Sequence, residues 1–395
     1  MQIDIAIVGA GPAGLTLARS LRGSGLEIAL IDPQPREALA EPAFDGREIA
    51  LTHTSRRLLG EAGIWARLDA DAIAPLREAR IVNGRGTTPL TIGAGGGAPL
   101  GFLVANQAIR RAAFDAAAVT DGVRVLDSCR VVAIDQAAHD RTALRLSDGR
   151  VLRTRLVVAA DGRFSTTRRL LGIGARQRDF GKTMLVCRMT HERPHEAVAL
   201  EWFDHGQTVA LLPLAGRSSS LVLTLPPLEI ERLTALDDAA FGAEITQRLD
   251  GRLGAMRPAG SRHAYPLVAS FADRFAGPRC ALVGDAAVGM HPVTAHGFNF
   301  GLLGQARLAA AIRAGAASPG GDLADPARLA HYAREHRRET EPLYRTTNLI
   351  VSLYTDERTP ARWLREAALG AAARLPPLKR AIAARLTGRA DPLPR

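Results

Sequence analysis

The first fourteen residues limit what this chain can fold into more than any other stretch. An apolar run through Ile3, Ile5, Ala6, Ile7 and Val8 leads into Gly9-Ala10-Gly11-Pro12-Ala13-Gly14, and Leu15 to Leu21 continues at helical spacing. A buried strand turning this sharply into a helix needs glycine at three places: the turn, the point where backbone meets a phosphate, and the point where the helix presses on the sheet. The helix start adds unpaired N–H groups and a positive dipole end, which together attract an anion. A GxGxxG match alone is weak, and its plain alternative is a glycine-rich turn with no ligand. Here Glu27 to Ile31 reads as a second strand ending in Asp32, at the spacing where an acid meets a ribose hydroxyl. The pair predicts a dinucleotide-binding βαβ unit and an α/β fold.

Two later segments repeat the same device. Leu156 to Ala160 reads as a buried strand ending in Asp161-Gly162-Arg163, and Cys280 to Val283 as another ending in Gly284-Asp285. Beyond the latter come His291-Pro292 and then Gly297-Phe298-Asn299-Phe300-Gly301, which opens a helical pattern. Ligands of open α/β sheets collect at the carboxyl ends of the strands. The 283–301 stretch therefore reads as a second contact to the same ligand.

At 395 residues and 47% hydrophobic content, the chain can build a large core and more than one domain. The patterns predict a Rossmann-like dinucleotide-binding domain in three parts, 1–75, 101–182 and 277–345, interleaved with mixed or antiparallel substrate-domain strands at 76–100 and 183–276, and a helical tail at 346–395. One helix is expected near 238–250, a helix carrying Leu58, Leu59, Ile64 and Trp65 after Leu51, and a loop at Gly93 to Gly97. Cys129, Cys187 and Cys280 lack metal-site spacing and read as core thiols in a reducing compartment; no metal is expected.

The formal net charge is +11, which points to an anionic surface rather than nucleic acid, because aromatics are only 5% and form no stacking platform. A strand beginning at residue 3 leaves no room for a signal peptide, and no apolar run approaches the roughly 20 residues of a bilayer span. A cytoplasmic protein peripheral to the inner membrane is expected. From Ala361 onward, Trp363, Leu364, Leu369 and Leu375 alternate with Arg362, Arg365 and Arg374. Such a stretch suits an anionic membrane surface or, equally, packing on the body.

Together GAGPAG at 9–14, AADGRFSTTRR at 159–169 and VGDAAVGMHPVTAHGFNFG at 283–301 resemble the FAD-dependent aromatic hydroxylases of the p-hydroxybenzoate hydroxylase class. Within that class, FDGREIALTHTSRRLL at 44–59, GFLVANQAIRRA at 101–112 and ALLPL at 210–214 are similar to the ubiquinone-biosynthesis hydroxylases, and TAHGFNFGL to the 5-demethoxyubiquinol hydroxylases in particular. The chain departs from many relatives at Val288, where histidine is common, and at Thr294-Ala295-His296.

The resemblance implies that Gly9, Gly11, Pro12, Ala13 and Gly14 hold the FAD pyrophosphate and Asp32 the adenosine ribose. Arg47 and Asn106 would approach the flavin side, Val131 the adenine through its backbone, and Asp285 the ribityl chain. Asp161 and Gly162 would link the FAD site to NAD(P)H use, while Gly297, Phe298 and Asn299 would point N–H groups at the negative edge of reduced flavin. The implied cycle is reduction of FAD by NADPH or NADH, addition of molecular oxygen to give a flavin hydroperoxide, and hydroxyl transfer to the ring of a prenylated quinol. Pro292 would face the substrate ring; His291 and His296 read equally well as catalytic or as loop-holding residues, while Tyr265 reads first as a half-buried strand end and second as a ring contact. Partner proteins of ubiquinone biosynthesis are also implied. A hydroxylase of soluble aromatics is the alternative.

Overall fold

The computed structural model describes residues 1–84, 89–93, 98–137, 140–204, 206–292 and 296–355. The candidate tail from Ala361 and most of the Gly93 to Gly97 loop lie outside them, as do Thr294 and Ala295.

Five parallel strands form the centre of the first sheet, in the order Cys280–Leu282, Val151–Ala159, Gln2–Val8, Ile28–Ile31 and Val123–Leu126. Their apolar runs are continuous rather than alternating because both faces are covered: Ile5, Ala6, Ile7, Val157 and Val158 are fully buried. Val131–Asp135 and Thr142–Leu146 extend this sheet as antiparallel strands, through the turn at Asp148-Gly149.

The second sheet is nine-stranded and almost wholly antiparallel. Its neighbouring strands run in the spatial order Ala175–His191, Ser218–Leu225, Gln207–Pro213 and Val198–Asp204, and Glu78–Asn83 joins the last of these in parallel. One face packs on the helices Pro227–Ala235 and Asp238–Arg248 through Leu185, Cys187, Trp202, Leu221, Leu223 and Phe241. Cys187 and Cys280 are buried free thiols, each pushed by burial up to about 11, and therefore inert at neutral pH.

The architecture agrees with the α/β expectation of a parallel FAD sheet with an interleaved antiparallel sheet. In detail it differs in several places. Residues 73–105 divide between two sheets: Gly101–Ala105 pairs with Ile73–Leu76 on one side and Glu48–Leu51 on the other in a separate three-stranded sheet, while Glu78–Asn83 and Leu90–Gly93 join the large one. The helix after Leu51 covers only His53–Glu61; Gly63, at φ +69°, ends it, and Trp65–Arg67 forms a separate 3-10 turn. A helix over Pro227–Ala235 was not expected, although proline at its first turn is a helix-start signal.

The expected boundaries also cut through elements. Ala175–His191 runs unbroken past 182, bent by a register shift between Asp179 and Thr183, and Pro326–Thr355 is one helix across 345. Long strands and helices shared between layers carry no compositional mark of where one layer stops. No helix among the described residues is long and apolar enough to cross a membrane.

Candidate functional site

The three glycine-bearing turns meet because their strands are neighbours in register. Val8 lies opposite Ile31 on one side and Ala159 on the other, and Ala159 lies opposite Leu282. Gly9, Asp32, Asp161 and Gly284-Asp285 thus leave the sheet along one carboxyl edge. Backbone bonds knit the edge together: Gly9 N–H donates to Ile31 O at 2.8 Å, Ala160 N–H to Val8 O at 2.8 Å, and Val283 N–H to Ala159 O at 2.9 Å.

Close approach explains the glycines. A Cβ on Gly9, whose φ is +109°, would lie 2.5 Å from Ala160 O and 2.8 Å from Asp161 N. A Cβ on Gly284 would lie 2.9 Å from the Ala13 side chain, so the third turn packs directly on the first helix. Above Gly11, by contrast, a Cβ would meet nothing within 4 Å. The helices Pro12–Ser20 and Gly297–Ala316 begin here, neither with a side-chain cap nor an acid in its first turn. Two positive helix ends and open space at Gly11 fit a diphosphate-bearing cofactor with an anionic ring edge.

Asp32 is buried, and its carboxylate accepts the N–H of Ala10 at 2.8 Å and of Gln34 at 2.9 Å. Two bonds leave lone-pair sites for a ribose hydroxyl. Cys129 N–H donates to Asp32 O, which brings the 129–131 segment, and Val131 with it, beside the same end of the site.

Arg47 and Asn106 meet at Asp45, a residue the motif reading passed over. The Asp45 carboxylate accepts Arg47 Nη2 at 2.6 Å and Asn106 Nδ2 at 2.7 Å, while Tyr265 O–H donates to the Asp45 carbonyl at 2.8 Å. Burial works against the Asp45 charge, but the Arg47 pair and the Asn106 bond outweigh it and hold the carboxyl below its usual range. Arg47 lies over the Tyr265 ring at 5.5 Å. The Asp-x-Arg spacing of 45–47 was the available signal.

The side chains of Asp161 and Asn299 make local bonds in the structure. The Asp161 carboxylate accepts Ser165 O–H, Thr167 N–H and Thr167 O–H, anchoring the short helix Thr166–Leu170. Asn299 Oδ1 accepts Thr52 N–H at 3.1 Å and its Nδ2 donates to Ala50 O at 2.9 Å, so its amide clamps the end of Glu48–Leu51. A small amide at a helix start is equally suited to a ligand or a neighbouring strand, and only packing chooses between them. The backbone of Gly297, Phe298 and Asn299 forms the first turn of the helix at this edge.

Asp285 is ion-paired to Arg163 at 3.0 Å. Arg168, also missed from sequence, is buried and donates to Ala286 O at 3.0 Å and Arg163 O at 3.3 Å, tying the second turn to the third. His291 is buried, stacks edge-on with Phe180 at 4.9 Å, and is pushed down to about 4 by burial and then by the Arg163 charge. It is neutral at pH 7. Pro292 is exposed beside it. His296 is buried near Phe300, directly before the Gly297 helix. Among the described residues no cluster could hold a metal ion.

The FAD binding domain family matches residues 2–347. Ubiquinone hydroxylase UbiM of Neisseria meningitidis is 42% identical over 394 residues, covering 98% of this chain and 85% of that protein. Ubiquinone hydroxylase UbiL of Rhodospirillum rubrum is 37% identical over 380 residues, covering 95% and 87%. Among solved structures, p-nitrophenol 4-monooxygenase PnpA from Pseudomonas putida superposes with a TM-score of 0.78 at 18% identity, over 98% of this chain and 99% of that one, a likeness of fold. Fold, converging turns and family match together define an FAD-binding flavin monooxygenase. The chain belongs to the FAD-dependent hydroxylases of ubiquinone biosynthesis.

Proposed function

We propose that this protein uses NADPH or NADH and molecular oxygen to hydroxylate the aromatic ring of a prenylated ubiquinone precursor, at the 5-demethoxyubiquinol step. The observation that carries the reading is the single edge where Gly9, Asp32, Asp161, Gly284-Asp285 and the Gly297 helix meet, across from an apolar face of the antiparallel sheet. The two relatives above are ubiquinone hydroxylases, which supports a quinol ring as substrate. The TAHGFNFGL stretch supports the demethoxy step.

In this reading the Gly9 to Gly14 loop and the first helix start hold the pyrophosphate, and Asp32 the ribose. Val131 offers backbone to the adenine, and Asp285 bonds the ribityl chain. Arg47 and Asn106, held by Asp45, border the flavin, and N–H groups of Gly297, Phe298 and Asn299 face its negative edge. Bound FAD supplies two-electron reduction and oxygen activation that no side chain can. The chain's own residues orient the ring and exclude water. Phe180, Met184, Val186, Tyr265 and Leu267 form an apolar wall that reaches His291, beside the Pro292 turn. A neutral His291 places no cation there to compete for the ring's electrons. The basic tail from Ala361 brings the enzyme to an anionic membrane in which such a substrate dissolves.

Deletion in the native host, followed by identification of the quinone intermediate, tests the reading. Accumulation of a demethoxy quinol is the expected result. An unchanged quinone profile removes the function, and a different intermediate moves the step.

A further inference from the structure

The strand Val198–Asp204 alternates between the two faces of the large sheet. Leu200 and Trp202 belong to the cluster behind it, where Trp202 Nε1 donates to Gly84 O at 3.0 Å and Arg252 covers the indole. Glu201 therefore stands on the opposite face. Register places it in one row with Ile81, Ala210, Val222, Val186 and His263. At ~4.8 Å per strand, Glu201 is about 10 Å from Val222.

Val222 packs on the patch of Phe180, Met184, Val186, Tyr265 and Leu267 that reaches His291. Val186 in turn lies against Gly46, where a Cβ would come within 2.7 Å of its Cγ2. This face is thus the wall opposite the 44–48 segment and the converging turns.

Glu201 is the one carboxylate on this wall, among the described residues, that no cation balances. Arg188 on the same face is taken by Glu48 at 2.7 Å, Arg47 by Asp45 at 2.6 Å, His263 by Ser261 Oγ at 2.8 Å, and Tyr265 by the Asp45 carbonyl. Glu201 keeps a little accessible surface, and burial alone raises its carboxyl to about 8. Ser220, two residues before Val222 and hence on the same face, has a buried Oγ with no hydrogen-bond partner among the described residues. Polar groups left without partners in an apolar wall are costly unless a ligand meets them.

We propose that Glu201 is a catalytic residue: its carboxylate takes the proton of the substrate's phenolic hydroxyl, with Ser220 as a further polar contact to the ring. This rests on the reading of a phenolic substrate given above. The O–H bond breaks, the proton moves to a Glu201 oxygen, and the electron pair stays on the ring oxygen, enriching the ring carbon that is to be hydroxylated. After oxygen transfer that carbon loses its hydrogen as a proton, and the ring oxygen recovers its own proton from Glu201. The net reaction consumes O2, NAD(P)H and one proton and yields the new hydroxyl, water and NAD(P)+. A phenol titrates at about 10, so a carboxyl near 8 is a closer proton partner than an ordinary glutamate at about 4.3.

The test uses the FAD-loaded enzyme, 2-prenylphenol as probe, and Glu201→Gln beside Glu201→Asp. Wild type should give the phenolate ultraviolet difference band on binding and a kcat/KM that rises with pH through about 8. E201Q should bind the probe without that band, lose the pH limb, and turn over about 100-fold to 1,000-fold more slowly. E201D should keep a displaced limb, and it decides the matter if E201Q loses FAD. An E201Q enzyme that ionises and hydroxylates the probe as wild type does, limb intact, overturns the role of Glu201. A wild-type enzyme that neither binds nor hydroxylates the probe overturns the phenolic-substrate reading instead, and this role with it.

Discussion

Arg168 offers the sharpest test of how the site is held together, because it joins two of the three turns without belonging to either glycine motif. Arg168 is 3% exposed, and its guanidinium has one good bond, to Ala286 O at 3.0 Å, and two long ones, at 3.3 Å, to Arg163 O. Its own N–H is fixed by Ser165 Oγ at 2.9 Å. Arg168→Met keeps the volume and removes the fork. One charge-assisted bond contributes about 1.5–3 kcal/mol, the long pair adds less, and relief of a desolvated cation counts against both, leaving a net loss of about 1–3 kcal/mol. Arg168→Ala adds a cavity and should cost ~2 kcal/mol more. Because Ala286 follows Asp285, both variants should also release FAD more readily. Urea unfolding of the apoprotein and fluorescence titration with FAD measure the two effects separately. If R168M and R168A both unfold within about 0.5 kcal/mol of wild type and bind FAD equally well, the bridge carries no energy and the reasoning is wrong.

Asn299→Leu strands the buried Thr52 N–H and should lower stability by about 2–4 kcal/mol, read as a shifted urea midpoint; an unchanged midpoint would mean water replaces the amide. Gly9→Ala forces a side chain into a backbone at φ +109° and against Ala160 O, for a loss of about 2–5 kcal/mol together with FAD binding, seen as colourless purified protein. His291 supplies the pH test. Its folded value, about 4, lies below the ordinary unfolded value of about 6.5, so the unfolded chain binds more protons between the two. Stability should therefore be complete above pH ~6.5 and fall by up to about 1.4 kcal/mol per pH unit toward pH 4 on this account. His291→Asn should flatten that slope by about one proton, and an identical slope in the variant would place the titration elsewhere.

Much of this site could be read from residue order. A strand that must turn at glycine into a helix constrains its own neighbourhood, so Gly9 to Gly14, Asp161-Gly162 and Gly284-Asp285 announced three such turns and their shared cofactor class. The backbone requirement is local, and local requirements are written in adjacent residues. Arg163 and Arg168 had no comparable mark: each acts on partners that only folding brings near, Arg168 on a carbonyl 118 residues away, while for Asp45 the nearby Arg47 was legible and Asn106 and Tyr265 were not. Asn299 carries both kinds of information: its backbone place at a helix start is legible in residue order, while only packing gave its side-chain amide to Thr52 and Ala50.

By itself, then, the sequence determined an α/β chain with a dinucleotide edge, a family, and the loops that face the cofactor. Tertiary structure alone decided which strands adjoin, that residues 73–105 divide between two sheets, and that Glu201 stands on the wall facing the site. The reason is that strand alternation tells which residues share a face but not which face is covered by helices and which by the site. That choice depends on packing between segments more than a hundred residues apart.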